Sequence, residues 1–94
     1  MKHYSIKVKG KVQGVLYRAA TKAVADQLGV RGYVKNLEDG SVQIEAEGDD
    51  FSLENFLEWC NEGPEKAVVE SVDVVEAELK NYSNFEVVKK NFLW

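Results

Sequence analysis

Val30-Arg31-Gly32-Tyr33-Val34-Lys35-Asn36-Leu37-Glu38-Asp39-Gly40-Ser41-Val42-Gln43-Ile44-Glu45-Ala46-Glu47-Gly48 reads as two strands joined by a turn. Val42, Ile44 and Ala46 alternate with Gln43, Glu45 and Glu47, the period of a strand with one buried face. Glu38-Asp39-Gly40 is the turn, Asp-Gly being a strong hairpin signal. Val30–Leu37 is therefore one strand and Val42–Glu47 the next, ended by Gly48. On the N-terminal side, Ala20, Ala23, Val24 and Leu28 recur at helical spacing before Gly29, predicting a helix from about Arg18 to Leu28. Before that helix, Tyr4, Ile6 and Val8 alternate with Ser5, Lys7 and Lys9 as a first strand, interrupted by Gly10 to Gly14. On the C-terminal side, Asp49 or Asp50 can cap a helix. Its buried stripe is Leu53, Phe56, Leu57 and Cys60, and Gly63-Pro64 stops it. Val68–Leu79 reads as a fourth strand with Val72 and Val74 on one face, and Phe85–Lys89 as a short last one. The order β-α-β-β-α-β, with a hairpin between two helices, is the ferredoxin-like α+β sandwich: an antiparallel sheet with both helices on one face.

Size and composition bound what such a fold can do. The chain has 94 residues, read as a single domain over 1–94. At that length about 60–65% of the extended-chain surface is buried, enough for a core without metal or disulfides. Net charge is −4, from 12 basic and 16 acidic residues, which argues against a general nucleic-acid binder. Acidic residues gather between Glu45 and Glu78, whereas Met1 to Lys22 is basic, so an anion site belongs in the first stretch. One cysteine, Cys60, cannot form an internal disulfide, and no apolar run approaches the ~20 residues of a spanning helix. The expectation is a cytoplasmic protein with no membrane association.

The candidate chemistry begins at Val12-Gln13-Gly14-Val15-Leu16-Tyr17-Arg18, a glycine-bearing turn from the first strand into the first helix. Backbone N–H groups at such a turn, with the partial positive charge of a helix start, suit a phosphoryl group. Arg18 adds a permanent charge in a flat fork matched to phosphate oxygens. Topology supplies a second residue. In a split β-α-β unit the first two strands are parallel with another between them, so they end at one edge of the sheet. Asn36, at the end of the second strand, then lies roughly two strand spacings, about 10 Å, from the turn. A carboxamide there can orient a water for in-line attack, and no strong base is needed when the leaving group is a carboxylate. No Cys/His set lies near the loop to favour a phosphoenzyme.

At these residues the chain resembles the acylphosphatase family. One signature is Val8-x-Gly10-x-Val12-Gln13-Gly14-Val15-x-Tyr17-Arg18; the other is Gly32-Tyr33-Val34-Lys35-Asn36-x-x-x-Gly40-x-Val42, closing on Gly48. Phe56, the Trp59 position, Gly63-Pro64 and Phe85 also match, and the likeness is strongest over residues 6–88, leaving 89–94 as a tail. The resemblance implies hydrolysis of acyl phosphates to a carboxylate and inorganic phosphate, by a monomer, without metal, cofactor or covalent intermediate. It implies phosphate binding by Arg18 and the loop Gln13, Gly14, Val15, Leu16, Tyr17 and Arg18, and water positioning by Asn36. Tyr17 stands where the family usually has phenylalanine, Leu16 where glycine or an aromatic is frequent, and Leu37 where some members carry a hydroxyl.

Blander readings accompany these. Asn36 alone is also a turn former, and Arg18 alone is also a solvated helix-start arginine. Thr21 either supports the loop or bonds back within its helix. His3 reads as a surface residue and Cys60 as a small core residue. Tyr17, Tyr33, Trp59 and Trp94 read as packing or surface, and Glu45, Glu47, Asp49 and Asp50 as a solvated edge and helix cap. A non-catalytic anion-binding module is the alternative function. RNA binding on the open sheet face is a weaker one, since Lys7, Lys9, Gln43, Glu45 and Glu47 would line that face.

Overall fold

The hairpin sits at the centre of the sheet. A computed structural model describes residues 1–89. The elements are β1 (Lys2–Lys11), α1 (Tyr17–Leu28), β2 (Arg31–Asn36), β3 (Val42–Gly48), α2 (Asp50–Glu62), β4 (Val68–Ala77) and β5 (Phe85–Val88). The strand order is β4-β1-β3-β2-β5. β1 is antiparallel to both β3 and β4, and β2 is antiparallel to β3. β1 and β2 thus point the same way with β3 between them, as the connectivity requires. β5 joins β2 in parallel, so the sheet is mixed.

The two helices cover one face of the sheet. Ile6, Val8, Val34, Ile44 and Ala46 meet Ala25, Leu53, Phe56 and Cys60 there, all fully buried. The Phe56 and Phe85 rings meet edge to face at 6.0 Å. Tyr17 is buried too, its hydroxyl donating to the Cys60 carbonyl at 2.8 Å and its ring 5.3 Å from Trp59. Burial pushes the Cys60 thiol up to about 12, so it stays protonated and inert. The buried stripe and the α2 cap follow the sequence pattern, with Asp49 accepting from the Ser52 N–H at 2.7 Å.

Two element ends depart most from the sequence reading. β1 does not stop at Gly10; it runs to Lys11 through a bulge at Lys9/Gly10. Gly10 has φ +130, and a Cβ there would lie 2.1 Å from the Val68 carbonyl oxygen, so only glycine lets β4 approach. β4 ends at Ala77 rather than Leu79, and Val74 and Val75 are exposed because β4 is an edge strand. The reading of the tail, including Trp94, falls outside the described residues.

The larger departure is on the sheet face away from the helices. His3 is 1% exposed and Glu47 also 1%, where the sequence suggested a solvated surface. The chain from β4 to β5 must cross the whole sheet, and it does so over this face. Glu47 accepts the N–H groups of Lys80, Asn81 and Tyr82, and the Tyr82 ring packs on His3 at 5.8 Å and Tyr33 at 6.0 Å. His3 Nε2 lies 2.6 Å from Glu45 Oε1 and Nδ1 lies 3.1 Å from Glu47 Oε2. The Nδ1 contact is a hydrogen bond only when that nitrogen carries the proton, because a carboxylate only accepts. Ser5 and Gln43 donate to Glu45 as well. The three residues meet because His3 pairs Glu47 across the ladder and Ser5 pairs Glu45. Cross-strand register, not spacing along the chain, buries them.

Candidate active site

The turn after β1 is anchored by apolar side chains and leaves its backbone outward. Val12 is 1% exposed and Val15 9%, while Gly14 and Leu16 are exposed. Gly14 has φ +74, which glycine adopts without steric penalty, whereas Leu16 has φ +65 and bears the strain of a non-glycine residue there. Leu16 occupies the N-cap position of α1 and supplies no side-chain hydrogen bond, and the first turn of α1 has no acidic residue. The leading N–H groups of α1 therefore have no side-chain acceptor from the cap, and the positive end of the helix dipole is uncompensated.

The turn is tied to the hairpin. Gln13 Nε2 donates to the carbonyls of Leu37 and Ser41, each at 2.8 Å. That commits the Gln13 side chain to positioning, leaving its main chain for any ligand. The turn of the hairpin is itself closed by the Asp39 carboxylate, which accepts from Ser41 N–H at 3.0 Å and from the Ser41 hydroxyl. Those two donors, with Lys7 Nζ at 3.1 Å, hold the Asp39 carboxyl well below the usual carboxylate range.

Arg18 is half-buried and donates from Nη1 to the Val88 carbonyl at 2.8 Å. Val88 pairs with Lys35, the residue before Asn36 on β2. The guanidinium thus sits at the end of β5, one strand spacing (about 5 Å) from the end of β2. Asn36 shares the helix-covered face with Val34, two residues before it. Its Oδ1 is buried and has no hydrogen-bond partner. A buried acceptor left open costs stability, and here it lies at the end of the sheet where the turn and Arg18 also lie.

Loop, arginine and asparagine are thus brought to one end of the sheet. Tyr17 faces the core, so only its main chain can serve a ligand. Of the two readings of Thr21, the structure shows the bond back within the helix, from Oγ1 to the Tyr17 carbonyl at 2.7 Å. The role of Val88 was not readable from sequence; no side-chain signal marks a carbonyl as a partner. A groove of ≈ 380 Å³ lined by Lys9, Gly10, Asp39, Gly40, Ser41 and Glu70 contains neither Arg18 nor Asn36. Among the described residues, no three of His, Cys, Asp and Glu are grouped to hold a metal ion, and no helix is long and apolar enough to cross a membrane.

Comparison with known proteins bears on this arrangement. The family model described as acylphosphatase matches residues 4–87. The chain is 50% identical over 82 residues to the acylphosphatase of Archaeoglobus fulgidus, covering 87% of this chain and 92% of that protein. It is 48% identical over 87 residues to the acylphosphatase of Thermotoga maritima, covering 93% and 97%. Among solved structures, the crystal structure of acylphosphatase from Bacillus subtilis superposes with a TM-score of 0.91 at 37% identity, covering 94% of this chain and 99% of that one.

Proposed function

The chain belongs to the acylphosphatase family and carries its hydrolase activity, and on that premise we propose how its own residues perform the reaction. The phosphoryl group of an acyl phosphate is held by the main-chain N–H groups of the turn Gln13–Arg18 and by the Arg18 guanidinium. A water is oriented by Asn36, whose Oδ1 accepts one of its hydrogens. The water oxygen attacks phosphorus, the bond from phosphorus to the acyl oxygen breaks, and its electron pair leaves with the carboxylate. The water proton passes to a phosphoryl oxygen, giving inorganic phosphate. No metal and no covalent intermediate take part. The N–H groups and Arg18 offset charge on the equatorial oxygens, which is most of what phosphoryl transfer asks of a protein.

The observation that carries this reading is the open Asn36 Oδ1, a buried acceptor at the same end of the sheet as Arg18 and the uncapped start of α1. The Val88 carbonyl is a positioning group: it restrains the arginine, which has many rotamers, before substrate arrives. The reading takes residues 1–94 as one domain and a cytoplasmic monomer, with Gln13, Arg18 and Asn36 all supplied by one chain. Hydrolysis of benzoyl phosphate in ¹⁸O-water with chelator present tests the chemistry. Attack at phosphorus delivers the heavy oxygen to phosphate. Label in benzoate instead, or loss of turnover on chelation, refutes the mechanism.

A further inference from the structure

Resting on the reading of the turn as the phosphate site, we propose that Leu16 contacts the acyl group and selects apolar acyl phosphates. Elimination along the turn leaves one side chain free. Gln13 is committed to the Leu37 and Ser41 carbonyls. Gly14 has no side chain. Val15 is buried, and Tyr17 is buried with its hydroxyl on Cys60. Arg18 is the phosphate ligand. Leu16 alone among them is free to meet whatever the phosphoryl group is attached to, and it is 79% exposed, more than any other exposed large hydrophobic residue described.

Its conformation makes the exposure notable. With φ +65, Leu16 holds a backbone geometry that glycine would adopt freely. Neither burial in the core nor backbone preference explains a leucine here. Contact with a bound apolar group does: an acyl group is joined to phosphorus through a single oxygen, so its first carbons stay within a few bonds of the turn proposed to hold the phosphate. An aryl or branched alkyl acyl group covers the leucine and removes both surfaces from water. A short acyl group such as acetyl leaves most of it wet. The selected class is therefore acyl phosphates with a bulky apolar acyl part.

The test is the ratio of kcat/KM for benzoyl phosphate to that for acetyl phosphate, in wild type, Leu16→Gly, Leu16→Asn and Leu16→Met. Glycine and asparagine both tolerate positive φ, so they remove the apolar contact without adding strain. The expected result is a ratio about tenfold lower in Leu16→Gly and Leu16→Asn, carried mainly by KM for benzoyl phosphate, and close to wild type in Leu16→Met. An equal loss on both substrates leaves the ratio unchanged and overturns the proposal, because Leu16 then serves the turn and not the acyl group. Wild-type protein that hydrolyses neither substrate overturns the phosphatase reading, and this one with it.

Discussion

The two helices start at opposite ends of the sheet, and the two starts are built differently. α2 follows β3 and begins under its own carboxylates: Asp49 caps it, Asp50 lies in its first turn, and Asp50 also meets Lys2 at 3.3 Å. Beside it, Glu47 absorbs three backbone N–H groups from the β4–β5 crossing. At the other end α1 follows β1 with no capping side chain and no acid in its first turn, and Asn36 keeps an unpartnered buried oxygen. The closed end uses its polar groups for folding. The open end leaves hydrogen-bonding capacity unused within the fold. On the proposed reading, the reaction draws on the polar groups that the open end leaves unsatisfied.

Substitutions at the two ends should therefore separate activity from stability. Arg18→Ala is expected to lower turnover of benzoyl phosphate about a thousandfold while the urea midpoint stays near wild type, because the side chain's only described hydrogen bond is one to an edge carbonyl. A large drop in the midpoint would mean that the open end is structural. Glu47→Ala should do the reverse, destabilising by about 3 kcal/mol with kcat within twofold of wild type below the melting range. Burial would raise the Glu47 carboxyl, but the N–H groups of Lys80 and Tyr82 and the His3 ring hold it below the ordinary range. With the folded value depressed, its contribution is complete above the unfolded value of roughly 4.5 and is lost as pH falls below that. Urea midpoints measured from pH 7 to pH 3 should decline below pH 4.5 in wild type, and less steeply in Glu47→Ala.

Asn36→Ala is expected to reduce kcat about a hundredfold, with KM little changed and no loss of stability, since it removes a buried acceptor that has no partner. Retained kcat would remove the water-positioning role. Asp49→Ala has the smallest expected effect, a slight fall in the urea midpoint from the lost cap, with unchanged kinetics. Should it instead alter turnover, the two ends would not be independent.

Much of this was readable in the chain. Asp39-Gly40 marked the hairpin, the stripe Leu53, Phe56 and Cys60 marked α2, and the order of elements alone put Asn36 and Arg18 at one edge. Those inferences rest on local periodicity and on chirality. What stayed hidden depends on pairing between distant strands. His3 looked exposed because nothing nearby in sequence announces Glu47 across the ladder or Tyr82 above it. Likewise the shared face of Val72 and Val74 did not say that β4 lies at the edge, because an edge position is a property of the sheet, not of the segment.

The bond from Arg18 to Val88 spans 70 residues. A chain emerging from the ribosome exposes the turn Gln13–Arg18 early and Asn36 soon after, yet the one hydrogen bond described for the guanidinium forms only once β5 has docked beside β2. If Arg18 holds phosphate as proposed, nascent chains short of Phe85 would hydrolyse little.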